Sequence, residues 1–186
     1  MRFCDSLLFT IVLFSVASFS QDNSSKPKLS DQPLTEEQAD IYRTVLKHYP
    51  KNSGEMLNVS DTTVPLKVSG RAWFGPLGPN GGSFDKACVE GIELEQVPGP
   101  VPVVHKLSPS VLAGAKMKFV ESEPQENRIE VFTLSEIIFD RLHRHALVSY
   151  SFGYSSSGGG ATLVLEKNGD GWAVKKSCGC WVGGAI

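Results

Sequence analysis

The sequence predicts an α+β domain in which one N-terminal amphipathic helix packs on an antiparallel, meander-type β-sheet with long Pro/Gly-rich loops. Three observations predict it. Apolar residues at helical spacing occur in one stretch, between Thr35 and Tyr49, whereas the C-terminal third carries four successive segments rich in β-branched and aromatic residues, each bounded by turn residues. Between these regions, from Trp73 to Pro109, proline and glycine recur too often for long regular elements.

The first twenty residues, MRFCDSLLFTIVLFSVASFS, have one early cation at Arg2, an apolar run from Leu7 to Val16 and then small residues. That is the layout of an export signal, with Ser18 and Ser20 placed for cleavage before Gln21. The run falls short of the roughly 20 apolar residues of a spanning helix. Cys4 precedes the apolar run, so it is not positioned as the acylated cysteine of a lipoprotein. Residues 1–20 are therefore expected to be a signal peptide, 21–33 a flexible polar tether, and 34–186 a single domain, secreted or periplasmic. Asn23-Ser24-Ser25 and Asn58-Val59-Ser60 are glycosylation acceptor triplets if the host is eukaryotic.

Thr35-Glu36-Glu37-Gln38 has the spacing of a capping box, with acids in the first turn where the helix dipole favours them. Ile41, Tyr42, Val45, Leu46 and Tyr49 continue the pattern and Pro50 stops it, predicting a helix over 35–49. His48 sits in its last turn, where a cation suits the exposed carbonyls. Glu55 to Val68 reads as one or two strands broken at Asp61 or Pro65. A helix at 85–95 is conceivable but is weakened by Gly91, and Ser108-Pro109-Ser110 is expected to open a brief turn through Leu112.

The four predicted strands are Glu130 to Phe139, Ala146 to Tyr154, Ala161 to Glu166 and Gly171 to Val182. Asn168-Gly169 is a strong hairpin dipeptide, because a type I′ turn needs positive φ at both central residues. Along the second strand Ala146, Val148, Tyr150, Phe152 and Tyr154 share one face, which the helix is expected to cover. Trp172 and Tyr150 are the expected core aromatics.

The residues Leu134-Ser135-Glu136-Ile137, Phe139-Asp140, Ala146-Leu147-Val148, Tyr150, Leu163, Leu165-Glu166-Lys167, Gly171-Trp172 and Trp181 together resemble the C-terminal signature of a group of uncharacterised exported bacterial proteins. The resemblance covers about 50 residues of the chain, and its pieces are hairpin turns and core aromatics, so it implies fold and export rather than an activity. In that group the turn filled here by Ser155 to Gly160 often carries a repeated Cys-Gly pair, and this chain has serines in its place. One helix covering a curved sheet, with a hairpin ending in Gly-x-Trp, is also similar to cystatin-like and nuclear-transport-factor-like domains at the level of fold.

The chain carries 18 Lys plus Arg against 20 Asp plus Glu among 186 residues, a net charge of -2, which gives no electrostatic footprint for nucleic acid. Beyond the leader the cysteines are Cys88, Cys178 and Cys180. In an exported chain the expected use is one disulfide between Cys88 and Cys178 (or Cys180), closing a long loop and contributing about 2–4 kcal/mol. On a regular strand Cys178 and Cys180 share a face, so either is able to meet Cys88. The alternative is a Cys178-Gly179-Cys180 redox dithiol, although catalytic dithiols more often use Cys-x-x-Cys at a helix N-terminus.

His143-Arg144-His145 offers two imidazoles beside a strand start, but no acid-rich or Cys-x-x-Cys partner follows, and a solvated hairpin turn is the expected reading. His105, among Val103, Val104 and Leu107, reads as a partly buried side chain. Ser155 to Gly160 reads as a hairpin tip with little likeness to a phosphate loop. No catalytic, cofactor-binding or metal residues are assigned. The functional expectation is an exported, non-catalytic binding domain that meets an unidentified protein or small ligand through its concave sheet and the Trp73-to-Pro109 loops. It is expected to bind no nucleic acid, to need no cofactor and to keep no stable membrane span once the leader is removed; the alternative is a thiol-dependent redox enzyme using Cys178 and Cys180.

Overall fold

The computed structural model describes residues 27–49, 56–66, 89–95, 103–110, 112, 117–120, 130–154, 157–169 and 171–184. At 154, 157 and 179–184 only the backbone is described. The expected leader, residues 21–26 of the expected tether, Cys88 and most of the Trp73-to-Pro109 loops lie outside the described residues. No described helix is long and apolar enough to cross a membrane.

Helix α1 spans Glu36–His48, with Thr35 as its N-cap. The Thr35 hydroxyl accepts from the Gln38 backbone N–H at 3.2 Å, and the Gln38 side-chain oxygen accepts from the Thr35 N–H at 2.9 Å, so the capping box read from sequence is present in both directions. Tyr49 leaves the helix in an extended conformation, as expected of a residue held before proline. Ala39, Ile41, Tyr42, Val45 and Leu46 are buried, while His48 is exposed at the C-terminal end.

The strands are β1 (Lys28–Leu29), β2 (Leu57–Ser60), β3 (Val103–Val104), β4 (Met117–Val120), β5 (Val131–Leu134), β6 (Ile138–Phe139), β7 (His145–Tyr154), β8 (Ser157–Asn168) and β9 (Gly171–Gly184). The main sheet runs β4-β2-β5-β7-β8-β9, with β6 also paired to β7. The chain is thus α+β, with one described helix and a mixed sheet. The C-terminal strands β7, β8 and β9 pair antiparallel in chain order. The expectation of a wholly antiparallel sheet is corrected on the other side, where β2 pairs parallel with both β4 and β5. Parallel neighbours need connections of a dozen or more residues, and the length of chain between Ser60 and Met117 supplies that.

Lys28–Leu29 lies within the expected tether, yet it pairs parallel with Val103–Val104, and the Ser30 N–H donates to the Val104 carbonyl at 2.7 Å. The polar composition around it hid a two-residue bridge that depends on a distant partner. Of the helix considered over 85–95, residues 85–88 lie outside the described residues; Val89 is in a 3-10 conformation, and a turn follows, with the Ile92 N–H donating to the Val89 carbonyl at 3.0 Å and Gly91 at φ +80°, so no helix continues to 95. At Ser108 the expected turn is present, closed by the Leu112 N–H at 3.3 Å from the Ser108 carbonyl.

Both faces of the sheet are covered. On one, Ala146, Val148, Leu163, Leu165, Phe132 and Trp172 pack with Ile41, Tyr42, Val45 and Leu46 of α1. Tyr49 extends that contact, its ring 4.8 Å from Phe132, 5.7 Å from Tyr150 and 5.3 Å from Phe152. Alternation along β7 therefore places Ala146, Val148, Tyr150 and Phe152 beneath the helix as read from sequence. On the other face Leu66, Ile138, Leu147, Val164 and Cys178 form a second cluster, against which Val89, Ile92 and Leu94 pack. Apolar side chains from α1 and from residues 89–94 thus pack on the two faces.

Two further departures are local. Asn168 pairs with Gly171, so the centre of the β8–β9 turn begins at Gly169, with φ +59°, one residue later than the Asn168-Gly169 dipeptide implied. Ser157 to Gly160 pair with Ser151 to Tyr154 as part of β8, so that part of the expected hairpin tip, 155–160, is strand, while Ser155 and Ser156 lie outside the described residues. The glycines there permit close strand approach. A Cβ on Gly158 would stand 2.6 Å from the Phe152 carbonyl oxygen.

Candidate functional site

The predicted strand 130–139 splits into β5 and β6, and the split builds the most organised polar site. Leu134 is opposite Tyr150 and Ile138 is opposite Leu147, so Ser135, Glu136 and Ile137 face only Val148 and Ser149 across the ladder. One extra residue bulges out, and bulges re-aim a side chain. The Ser135 hydroxyl closes the gap by accepting from the Ser149 N–H at 2.8 Å, and the Glu136 N–H donates to the Val64 carbonyl at 2.7 Å. Glu136 is thereby carried to the carboxyl end of β2, where Thr63 and His105 meet it.

Glu136 gathers three donors. The His105 ring Nδ1 lies 3.0 and 2.9 Å from its two carboxylate oxygens, the His105 backbone N–H lies 2.8 Å from Oε1, and the Thr63 hydroxyl donates to the same oxygen. The Thr63 N–H also donates to the His105 carbonyl at 3.0 Å. His105 and Glu136 side chains are 15% and 16% exposed, enough to reach solvent while shielded from most of it. An ionised carboxylate only accepts, so the bond fixes the proton of a neutral His105 on Nδ1. That leaves Nε2 as an acceptor, and none of the described residues bonds to it. Beneath this site the Tyr42 hydroxyl donates to the Ser135 carbonyl at 2.9 Å. Burial, with the nearby Glu136 charge, pushes the Tyr42 phenol well above its ordinary range.

A second cluster lies at the start of β7. The Asp140 carboxylate accepts from the Arg144 and His145 backbone N–H groups at 2.7 and 3.0 Å and faces His145 Nδ1 at 3.0 Å. Burial alone would raise the Asp140 pKa, but the His145 ring bond and the two backbone donors outweigh it and hold the carboxyl below its usual value. His145 Nε2 is 3.5 Å from Glu166, which binds Lys175 at 2.8 Å. His143 instead turns away at φ +50°, stacks on Phe139 with centroids 4.5 Å apart, and reaches Glu37 of α1 at 3.4 Å. The two imidazoles of the 143–145 turn thus serve different carboxylates. Among the described residues no three His, Cys, Asp or Glu side chains converge as a metal-holding group.

Cys178 is 2% exposed and disulfide-bonded, and its partner sulfur lies outside the described side chains. Thr162 is opposite Cys178 while Ala161 is opposite Cys180, so the ladder shifts by one residue at Gly179. The two-residue alternation that would put Cys178 and Cys180 on one face is broken at that bulge.

Thr63, His105 and Glu136 share no motif, since 42 and 31 residues separate His105 from the other two. Of the three, sequence reasoning weighed only His105, as a partly buried side chain, and its burial accords with that. The apolar run around His105 was the available signal; the partner was hidden inside what reads as an unbroken strand. In comparisons with protein-family models, curated proteins and solved structures, the chain matches none of them.

Proposed function

We propose that the protein is an exported, non-catalytic binding domain, secreted or periplasmic, whose ligand-contacting end is built from Thr63, His105 and Glu136. The observation that carries this reading is the Glu136–His105 pair, which holds an imidazole in one orientation and in its neutral form leaves Nε2 as an acceptor. A ligand for it carries a hydroxyl or N–H donor, on a small molecule or on a partner protein. The same bonds tie together the segments after β2, β3 and β5, so the group is preorganised and ordering it upon binding costs little.

In this reading α1 over the antiparallel meander β7-β8-β9 is the frame, and the parallel strands β2 and β5 deliver the contact residues at their carboxyl ends. Export is supported by the layout of residues 1–20 and by a bonded, buried Cys178, because disulfides persist in oxidising compartments. The likeness of the C-terminal third to exported bacterial proteins belongs to the same proposal. Cys88 is the proposed partner of Cys178, since the next residue, Val89, packs in the cluster that contains Cys178. A redox enzyme needs an accessible sulfur, and the burial of Cys178 speaks against that alternative. Near-neutral charge supports a partner other than nucleic acid.

The test is an amide NMR screen of the protein lacking residues 1–20 against a fragment set rich in alcohols and amines. Shifts concentrated at 60–64, 103–107 and 135–137, and lost in His105→Phe, are expected. Hits that ignore these segments, or that persist in His105→Phe, overturn the site.

A further inference from the structure

We propose that Asn168-Gly169 is a spontaneous deamidation site, a covalent modification that the folded β8–β9 hairpin leaves open. Asn168 is exposed, and no described residue hydrogen-bonds its carboxamide. It forms the last pair of the ladder, with Gly171, so it stands where pairing ends. Gly169 follows with φ +59°, and a Cβ placed on it would meet nothing within 4 Å. The backbone nitrogen that must attack therefore belongs to a residue with no side chain to obstruct it and with open space around it.

The step balances with water as the only co-reactant. The Gly169 nitrogen loses its proton and attacks Asn168 Cγ, forming a new C–N bond and a five-membered succinimide. The side-chain nitrogen takes the proton and leaves as ammonia. Water then opens the ring at one of its two carbonyls, giving aspartate or isoaspartate at 168, and no electron transfer occurs. Isoaspartate routes the main chain through an additional carbon at the closing pair of the hairpin. That pair adjoins Lys167, whose ammonium binds Glu37 of α1 at 2.7 Å and lies 5.8 Å from the Trp172 ring centre. Modification thus falls beside the contact that joins hairpin to helix.

Asn58 is the internal reference. Its carboxamide donates to the Glu130 carbonyl at 3.2 Å, it sits in β2 between two strands, and its next residue is the β-branched Val59. The experiment incubates folded protein at mildly alkaline pH and maps peptides by mass, with an isoaspartate-specific methyltransferase as the second readout. Conversion at 168 with Asn58 intact, and its loss in Asn168→Gln, are expected. Conversion at both positions would mean that unfolding exposes them and would overturn the proposal. So would a folded protein that keeps Asn168 amidated while guanidinium-unfolded protein converts it.

Discussion

Glu136 brackets the His105 ring, with both carboxylate oxygens within 3.0 Å of Nδ1. The pair fastens two segments distant in the chain, and its removal leaves the His105 ring N–H to seek another acceptor, while the Thr63 hydroxyl keeps the His105 carbonyl at 3.1 Å and the His105 backbone N–H keeps the Thr63 hydroxyl oxygen at 2.8 Å. Glu136→Ala is expected to cost about 1–3 kcal/mol, the range for stranding partly buried donors. Glu136→Gln should recover part of this, because its carbonyl still accepts. Urea denaturation of the three proteins decides it, and an alanine variant as stable as the parent would remove the clamp.

Trp172 is 8% exposed under the helix, with its carbonyl accepting from the Thr44 hydroxyl at 3.4 Å. Trp172→Ala is expected to lower stability by about 3–5 kcal/mol, as for large aromatics removed from cores. Equal denaturation midpoints would count against the helix-to-hairpin contact.

The acid side of the stability curve should carry the mark of Asp140. Its folded pKa lies below the unfolded value of about 3.9. The resulting stabilisation is fully present above the unfolded value and is lost as pH falls through the folded one. Glu37, lowered by the Lys167 bond against a smaller effect of burial and with help from His143, acts in the same direction. Asp140→Asn should flatten the decline in stability below about pH 4, the region of the unfolded carboxyl. A decline as steep as the parent's would assign it to other carboxyls.

Cys88→Ser is expected to destabilise by about 2–4 kcal/mol, the usual range for a long-loop disulfide. Peptide mapping without reduction should show Cys88 joined to Cys178. A dominant Cys178–Cys180 linkage would overturn that pairing.

The local part of the fold was legible: Thr35 and Gln38 announced the helix start, and the alternation from Ala146 to Phe152 named the residues beneath it. Local chemistry sets both. What stayed hidden depends on partners far along the chain. Nothing near Leu57 specifies parallel pairing with Met117, and nothing near Glu136 signals that one residue of its strand is surplus, because a bulge appears only once the opposing strand is counted. Gly179 misled in the same way, by breaking a parity that the sequence alone leaves intact.

The contact between Thr44 and Trp172 spans 128 residues, and it has a bearing on the order of events during synthesis. A chain emerging from its amino end presents α1 long before the strands that shelter its apolar face, and β2 must wait for both of its parallel neighbours. The hairpins of β7, β8 and β9 are short-range, whereas docking of the helix on Trp172 waits until the chain has reached β9. For most of its synthesis the polypeptide therefore lacks a finished core. A nascent chain in that condition remains threadable, as the export proposed above would require.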